Sequence, residues 1–455
     1  MNTSFFGELL QTISERGRAL LERGRGSRVA ASAHSESLIE LCEGLLSGRG
    51  EASGVALARD ILTRYATLTI GPRIAFFEAL ASRFGPDPAR MERAIAAWRE
   101  KPSDLTAAEV HAASEPRRQE LFRRLNLAPG GTAALVRMRE QLMDALDHRE
   151  DLAAVDDDFV HLFTSWFNRG FLVLRHIDWS TPAIVLEKII RYEAVHAIHD
   201  WEDLRRRIDP PDRRCYAFFH PALIDDPLIF VEVALVRDIP PAIAPILSPG
   251  RDIVEADKMR TAVFYSISNC QRGLSGVYFG NFLIKQVVEE INREIPKLAT
   301  FVTLSPVVSF AGWLKRERAA EHSTAVSAAD KDLFALLDDP AWWRDTEKAA
   351  RLQEPLLRAA AAYFLRARTP RGMPLDAVAR FHLGNGARLE RIDWLADTSD
   401  KAMAQGCGLM VNYQYDLDDI EQNHEAYAEN RTVVASNAIR KLARPTTDLA
   451  AQAAL

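Results

Sequence analysis

The scarcities in this sequence narrow it first. Only four cysteines occur in 455 residues (Cys42, Cys215, Cys270 and Cys407), and none share a CxxC spacing. That excludes a disulfide scaffold and a zinc ribbon. An excess of one charge is lacking too, since 57 basic residues against 63 acidic ones leave a formal net charge of −6. So even a balance gives no footprint for nucleic acid or an anionic membrane, and neither is expected as a partner. No window approaches the roughly 18 uncharged apolar residues of a spanning helix. The N-terminal stretch carries Glu8, Glu15 and Glu22 and no apolar run, so it reads as an amphipathic helix rather than a signal peptide. The closing Ala-Ala-Leu is not a peroxisomal tripeptide. A cytoplasmic address is the expectation.

What is present is ordinary globular material. A hydrophobic share of 47% with 26% charged residues is too apolar for disorder, and the length allows about two to four domains. The first third reads as helix after helix. Segments 58–67, 72–83 and 131–147 repeat apolar residues at three- and four-residue spacing. Asp87-Pro88 places a cap acceptor before a helix-starting proline, and Thr106 with Glu109 predicts a capping box. From about residue 168 the texture changes. Segments 215–220, 228–237, 261–268 and 299–304 are short, β-branched and aromatic, and bounded by Pro, Asp or Gly. Between them, 281–295 carries the apolar stripe Ile284, Val287, Val288, Ile291 and Ile295. Residues 330–367 read as helical and inserted. The expected architecture is a multidomain α and α+β chain, with an all-α helical bundle at 1–167 and a mixed α/β domain at 168–455.

The most informative stretch runs from Phe264 to Gly276 (FYSISNCQRGLSG) into the helix near 281. A strand, a glycine-bearing loop and a helix can present backbone N–H groups and the helix dipole to a pyrophosphate. Gly273 and Gly276 would permit unusual backbone angles and close approach of a ligand. The same pattern also serves as a plain strand-to-helix turn. It matches neither the P-loop nor the dinucleotide fingerprint, and is similar to the Gln/Arg-x-x-Gly-x-Gly/Ala theme of acetyltransferase-type acyl-CoA domains. Odd polar residues interrupt apolar runs at Leu304-Ser305-Pro306, at 381–387 (FHLGNGA) and at 406–415 (GCGLMVNYQY). Taken singly, a His among apolar residues is more often a satisfied core histidine, and Ser before Pro a turn.

Taken jointly and in order, these segments resemble the malonyl-CoA decarboxylase family. The blocks are EKIIRYEAVHAIHDW at 187–201, RRCYAFFHP at 213–221, FYSISNCQRGLSGVYFGNFLIK at 264–285, TLSP at 303–306, FHLGNGARLERIDWLAD at 381–397 and CGLMVNYQY at 407–415. The resemblance implies a GNAT-like (acetyltransferase-type) catalytic domain behind the helical bundle, with assembly into a homo-oligomer, dimer or tetramer. The implied reaction converts malonyl-CoA to acetyl-CoA and CO2. Ser305 and His382 fall at the family's proton acceptor and proton donor. Ser266 and Tyr415 fall at positions lining the malonyl pocket, and Lys188 at one associated with activity. The acyl-CoA loop maps to Ser275, Gly276, Val277, Tyr278, Phe279, Gly280 and Asn281. Tyr278 departs from the Glu of the mammalian members.

The reaction needs no metal or organic cofactor in principle, because the thioester carbonyl receives the electrons. It needs donors for the enolate oxygen and an acid for the α-carbon. An imidazole near its ordinary value of about 6.5 suits the second task. A pocket of hydroxyls (Ser266, Ser305, Tyr415) would hold the carboxylate without the ground-state clamp of an arginine. Arg272 and Lys285 are the cations nearest the loop in sequence. His196, His199 and Asp200 read as surface polar residues rather than metal ligands, and Cys270 and Cys407 as small buried hydrophobes. An acyl-CoA N-acetyltransferase and a non-catalytic acyl-CoA sensor remain the rival readings.

Overall fold

In the computed structural model, the described residues are 38–48, 50–277 and 283–444. The expected helix at the extreme N-terminus, and Tyr278, Phe279, Gly280 and Asn281 of the acyl-CoA loop, lie outside them. The chain divides into two compact units. The first contains the described residues up to Val173 together with 219–226 and 271–277, and the second contains the remainder.

The first unit is built from eight helices between Leu38 and Trp166. The three segments read as helical fall within Glu51–Ala66, Ile70–Arg83 and Gly131–Leu146, the outer residues of two of them serving as C-caps. Asp87 caps its helix as expected, accepting from the Ala89 and Arg90 amides at 3.0 and 3.2 Å. The capping box sits one turn earlier than expected. Ser103 is the N-cap and Thr106 the third residue, each side chain answering the other's amide at 3.2 and 3.1 Å. Ser103 precedes the helix in an extended conformation, so Thr106 is already inside it and Glu109 has no cap to complete. Aromatic rings fill the centre, with Phe122 and Phe159 stacked at 4.2 Å between centroids.

Residues 271–277 belong to this unit although they follow a strand of the other. Arg139, paired with Asp156 at 2.8 Å, donates to the carbonyls of Gly273 and Ser275 at 2.9 and 2.7 Å. A Cβ on Gly273 would stand 2.1 Å from the Val136 carbonyl oxygen. Gly273 is therefore demanded by a helix pressed against it, which corrects the expectation that its smallness serves a ligand. Gly276 does take the left-handed angle, at φ +76°.

The second unit is an eight-stranded mixed sheet with helices. Its strands are β1 Val173–Ile177, β2 Arg213–Phe219, β3 Pro227–Val236, β4 Thr261–Asn269, β5 Thr300–Thr303, β6 Ser305–Pro306, β7 Arg388–Asp393 and β8 Met410–Gln414. The order is β1-β2-β3-β4-β5-β8-β6, with β7 also on β8. The four predicted strands are β2 to β5, and the predicted stripe helix is Leu283–Glu294. The insertion is helical as expected, dominated by Thr346–Arg366. β4 and β5 run parallel, while β3–β4, β5–β8, β6–β8 and β7–β8 pair antiparallel. Val302, Leu304, Val263, Tyr265, Ala234 and Met410 fill one face with apolar side chains. Alternation then sends Thr303, Ser305, Phe264 and Ser266 to the other. The fold is the multidomain α and α+β plan expected.

Gly386 ends the turn after His382 at φ +82°, and a Cβ there would meet the Ile420 carbonyl oxygen at 2.2 Å. Gly386→Ala combines left-handed strain with overpacking, so it should lower unfolding free energy by about 2–4 kcal/mol. Urea titration reads this as a fall in the midpoint, and an unshifted midpoint would contradict the packing described.

Candidate active site

The parallel pair β4–β5 is short. It registers Thr261 with Thr300 through Phe264 with Thr303, and the Leu304 amide closes it on the Phe264 carbonyl at 2.9 Å. β4 continues to Asn269, still paired with β3, while the other strand turns to β8. β5 and β6 follow one antiparallel register on β8, with Val302 opposite Gln414 and Ser305 opposite Val411. The two strands therefore part just past Phe264 and Thr303. A wedge opens, with Ser266 on its β4 side and Ser305 on its β6 side. β4 and β6 still approach within 8 Å between Cα atoms.

Ser305 and His382, 77 residues apart in the chain, meet here at 3.2 Å between Oγ and Nε2. His382 rides on helix Ala377–Gly384, capped by Asp376, which accepts from the Ala379 amide at 2.9 Å. Its ring stacks on Tyr413 at 4.6 Å, and its Nδ1 meets Tyr415 Oη at 2.7 Å. Ser305 in turn donates to Thr303 Oγ1 at 2.8 Å, and Thr303 also receives the Tyr413 amide at 3.1 Å. Asn412 fixes the same residue through its carbonyl, at 2.8 Å.

Proton positions follow from that chain. With the Ser305 hydroxyl donating to Thr303, its Oγ is left to accept from His382, the arrangement in which the imidazole proton is on Nε2. Nδ1 is then bare and accepts the Tyr415 hydroxyl. Burial keeps the Tyr415 phenol far above its usual range, so it is a donor. Burial also pushes His382 down to about 3, against an ordinary 6.5. The imidazole is neutral in the free protein, which departs from the near-neutral value expected from sequence. Desolvation penalises the charged ring, and among the described residues no carboxylate offsets it.

Ser266 lies on the same face but in a second polar group. It donates to Glu193 Oε2 at 2.6 Å, and Ser268 donates to the same oxygen at 3.3 Å. Glu193 follows helix Ala183–Tyr192, which carries Lys188 half-buried on its preceding turn. Glu232, opposite Ser266 on β3, is wholly buried and bonded to Arg207 at 3.3 Å. Burial and the charge of Glu193 push its carboxyl up to about 8. The structure thus joins Ser305, His382 and Tyr415, and commits Ser266 elsewhere. Thr303 and Glu193 were missed from sequence, though both stand inside quoted blocks. Thr303 stands two residues before Ser305 and Glu193 five after Lys188, so a hydroxyl or carboxylate close to a mapped position is the signal that was available.

The remaining candidates are accounted for locally. Arg272 pairs with Asp144 and Lys285 with Glu421, each at 2.6 Å. Asp200 is a helix cap for Asp203, whose carboxylate takes the His199 amide, while His196 and His199 line a cleft of 590 Å³. All four cysteines are buried and none forms a disulfide, and burial pushes the Cys407 thiol up to about 11. No described helix is long and apolar enough to cross a membrane.

Comparison with known proteins bears on this arrangement. Residues 170–453 match the model of the malonyl-CoA decarboxylase C-terminal domain, and residues 84–167 that of the malonyl-CoA decarboxylase N-terminal domain. The mitochondrial malonyl-CoA decarboxylase of Anser anser anser is 36% identical over 351 residues, covering 71% of this chain and 69% of the relative. That of Rattus norvegicus is also 36% identical, over 72% of this chain and 71% of its own. The crystal structure of malonyl-CoA decarboxylase from Rhodopseudomonas palustris is similar at 60% identity and TM-score 0.87, over 89% of this chain and 98% of that one. The enzyme from Agrobacterium vitis follows at 56% and 0.85, over 90% and 100%.

Two buried groups tie stability to pH in opposite senses. His382 sits at about 3 when folded against 6.5, so unfolded chains take the proton first and stability falls as pH drops from 6.5 toward 3. Glu232 sits at about 8 against 4.5, so the folded protein keeps a proton that unfolded chains lose, and stability falls as pH rises from 4.5 through 8. Denaturant titrations of Glu232→Gln should show a flatter alkaline decline than the parent. An unchanged slope would mean that Glu232 is ionised when folded.

Proposed function

The chain belongs to the malonyl-CoA decarboxylase family and is a carboxy-lyase, and from that premise we propose that His382, in its pair with Ser305, protonates the α-carbon of the enolate left by CO2. The observation that carries this reading is the hydrogen-bonded run Tyr415–His382–Ser305–Thr303, with the imidazole neutral and enclosed. Acetyl-CoA and CO2 form from malonyl-CoA by consuming one proton. The thioester carbonyl takes the electron pair of the broken C–C bond, and no metal or organic cofactor is invoked.

A neutral imidazole has no spare proton to give. The malonyl carboxylate supplies the reason to acquire one, because an unsolvated anion beside the ring opposes the desolvation that holds it at about 3. Substrate and proton therefore enter together. When CO2 leaves, the charge moves to the enolate oxygen and the acid is already at hand. Ser305 relays or orients, since a serine hydroxyl alone is a poor base. The pocket hydroxyls do not act as a cradle of donors in the free protein, because Tyr415, Ser305 and Ser266 each spend their proton on a protein acceptor. A carboxylate bound there is poorly solvated, which favours its loss.

The acyl-CoA assignment of Ser275 through Asn281 and the activity role of Lys188 both rest on the blocks shared with the family. Assembly through the helical unit completes the proposal, supported by Ile70 and Leu105, which are 77% and 73% exposed there. Light scattering of the purified protein tests it, with a monomer as the contrary result.

Incubation with malonyl-CoA in EDTA should yield acetyl-CoA and CO2 in equal amounts. His382→Asn should slow this by about 10²–10⁴-fold, the usual weight of a general acid, while acetyl-CoA affinity holds. Calorimetry in two buffers of different ionisation enthalpy should record uptake approaching one proton when a non-cleavable malonyl-CoA analogue binds near neutral pH. No uptake, or full turnover by His382→Asn, would remove His382 from the acid role.

A further inference from the structure

Ser266 on β4 and Ser305 on β6 lie on the same face of the sheet, on either side of the point where the strands part, and each is backed by an ionisable partner. Ser305 is backed by His382. Ser266 is backed by Glu193, whose geometry is unusually complete. Glu193 Oε1 accepts the amides of Val195 and His196 at 2.8 and 2.7 Å. Oε2 accepts the hydroxyls of Ser266 and Ser268 at 2.6 and 3.3 Å. All four partners are donors, the complement of a carboxylate. The group is 9% exposed and Ser266 1%, so this bond is made where few others compete. Glu232, the register partner of Ser266, is bonded to Arg207 at 3.3 Å, which offsets its charge when ionised.

The direction of the Ser266 proton has a chemical consequence. Its O–H points at Glu193, so only oxygen lone pairs remain for the wedge. A malonyl carboxylate placed between the two serines meets lone pairs and a nearby negative charge on the β4 side. On the β6 side it meets the His382–Ser305 pair. Acetyl-CoA has no carboxylate and meets neither penalty.

We propose that Glu193 is a positioning residue that, through Ser266, denies the malonyl carboxylate a hydrogen-bond donor and so weakens the bound substrate relative to the transition state. This rests on the decarboxylase reading above. Ground-state destabilisation of this kind has a kinetic signature, because its removal lowers kcat and KM together, whereas plain structural damage does not tighten substrate binding.

The test is Glu193→Gln in the full-length protein. Its amide donates to Ser266 Oγ and frees the serine proton for the carboxylate. KM for malonyl-CoA and the Kd of a non-cleavable malonyl-CoA analogue should fall by about 10- to 100-fold, the weight of one charge-assisted hydrogen bond. kcat should fall by a similar factor, and the inhibition constant of acetyl-CoA should not move. In a Ser266→Ala background the same substitution should change nothing further, since its effect runs through Ser266. Weaker malonyl binding, an equal shift for acetyl-CoA, or an undiminished effect without Ser266 would each overturn the proposal. If Glu193→Gln fails to fold, Glu193→Asp, which draws the carboxylate back from Ser266, should move the same constants in the same direction by less, and unmoved constants would count against it. Failure of the decarboxylase reading looks different, because the unaltered protein would then release no CO2.

Discussion

Two parallel strands that stop pairing after four residues are the constraint on which the site depends. While β4 and β5 are bonded, their side chains serve the core on one face and Phe264 and Thr303 on the other. Once they part, β4 keeps β3 as its neighbour and β6 takes β8. Backbone groups along the gap lose their sheet partners, which buried structure tolerates only if something else answers them. The hydroxyl face of the sheet lies along both sides of the wedge.

Burial then sets the chemistry. An exposed imidazole would carry its ordinary value near 6.5, whereas His382 beneath Tyr413 and Tyr415 is held at about 3. The same desolvation raises Tyr415 and Glu232, so each group takes the neutral form that its neighbours can accommodate. Proton direction along Tyr415, His382, Ser305 and Thr303 is then fixed by which oxygen has a proton left to give. A site built this way is preorganised around a neutral resting state.

The sequence was legible where local physics dominates. Asp87 before Pro88 marked a helix start, and the β-branched runs marked β2 to β5. Legibility failed where a neighbour decides. Thr106 and Glu109 form a valid capping box by spacing, yet the helix starts at Asp104 because Ser103 caps it first. Gly273 reads as a ligand glycine until Val136 is seen against it. β7 and β8 were passed over as strands, β7 because RLERID is charged at four of its six positions.

By itself the sequence determined the classes of element, the scarcity that excludes metal ribbons and disulfides, and the ordered blocks that carry the family. It also supplied Ser305, His382 and Tyr415, because motif order survives without coordinates. Only the tertiary structure decided which of the mapped hydroxyls share a hydrogen bond. Tyr415 reaches His382 across 33 residues of chain and Glu193 reaches Ser266 across 73. It alone decided that the imidazole is neutral. Those outcomes depend on what surrounds a side chain in space, and desolvation is a property of the packed surroundings that no spacing along the chain encodes.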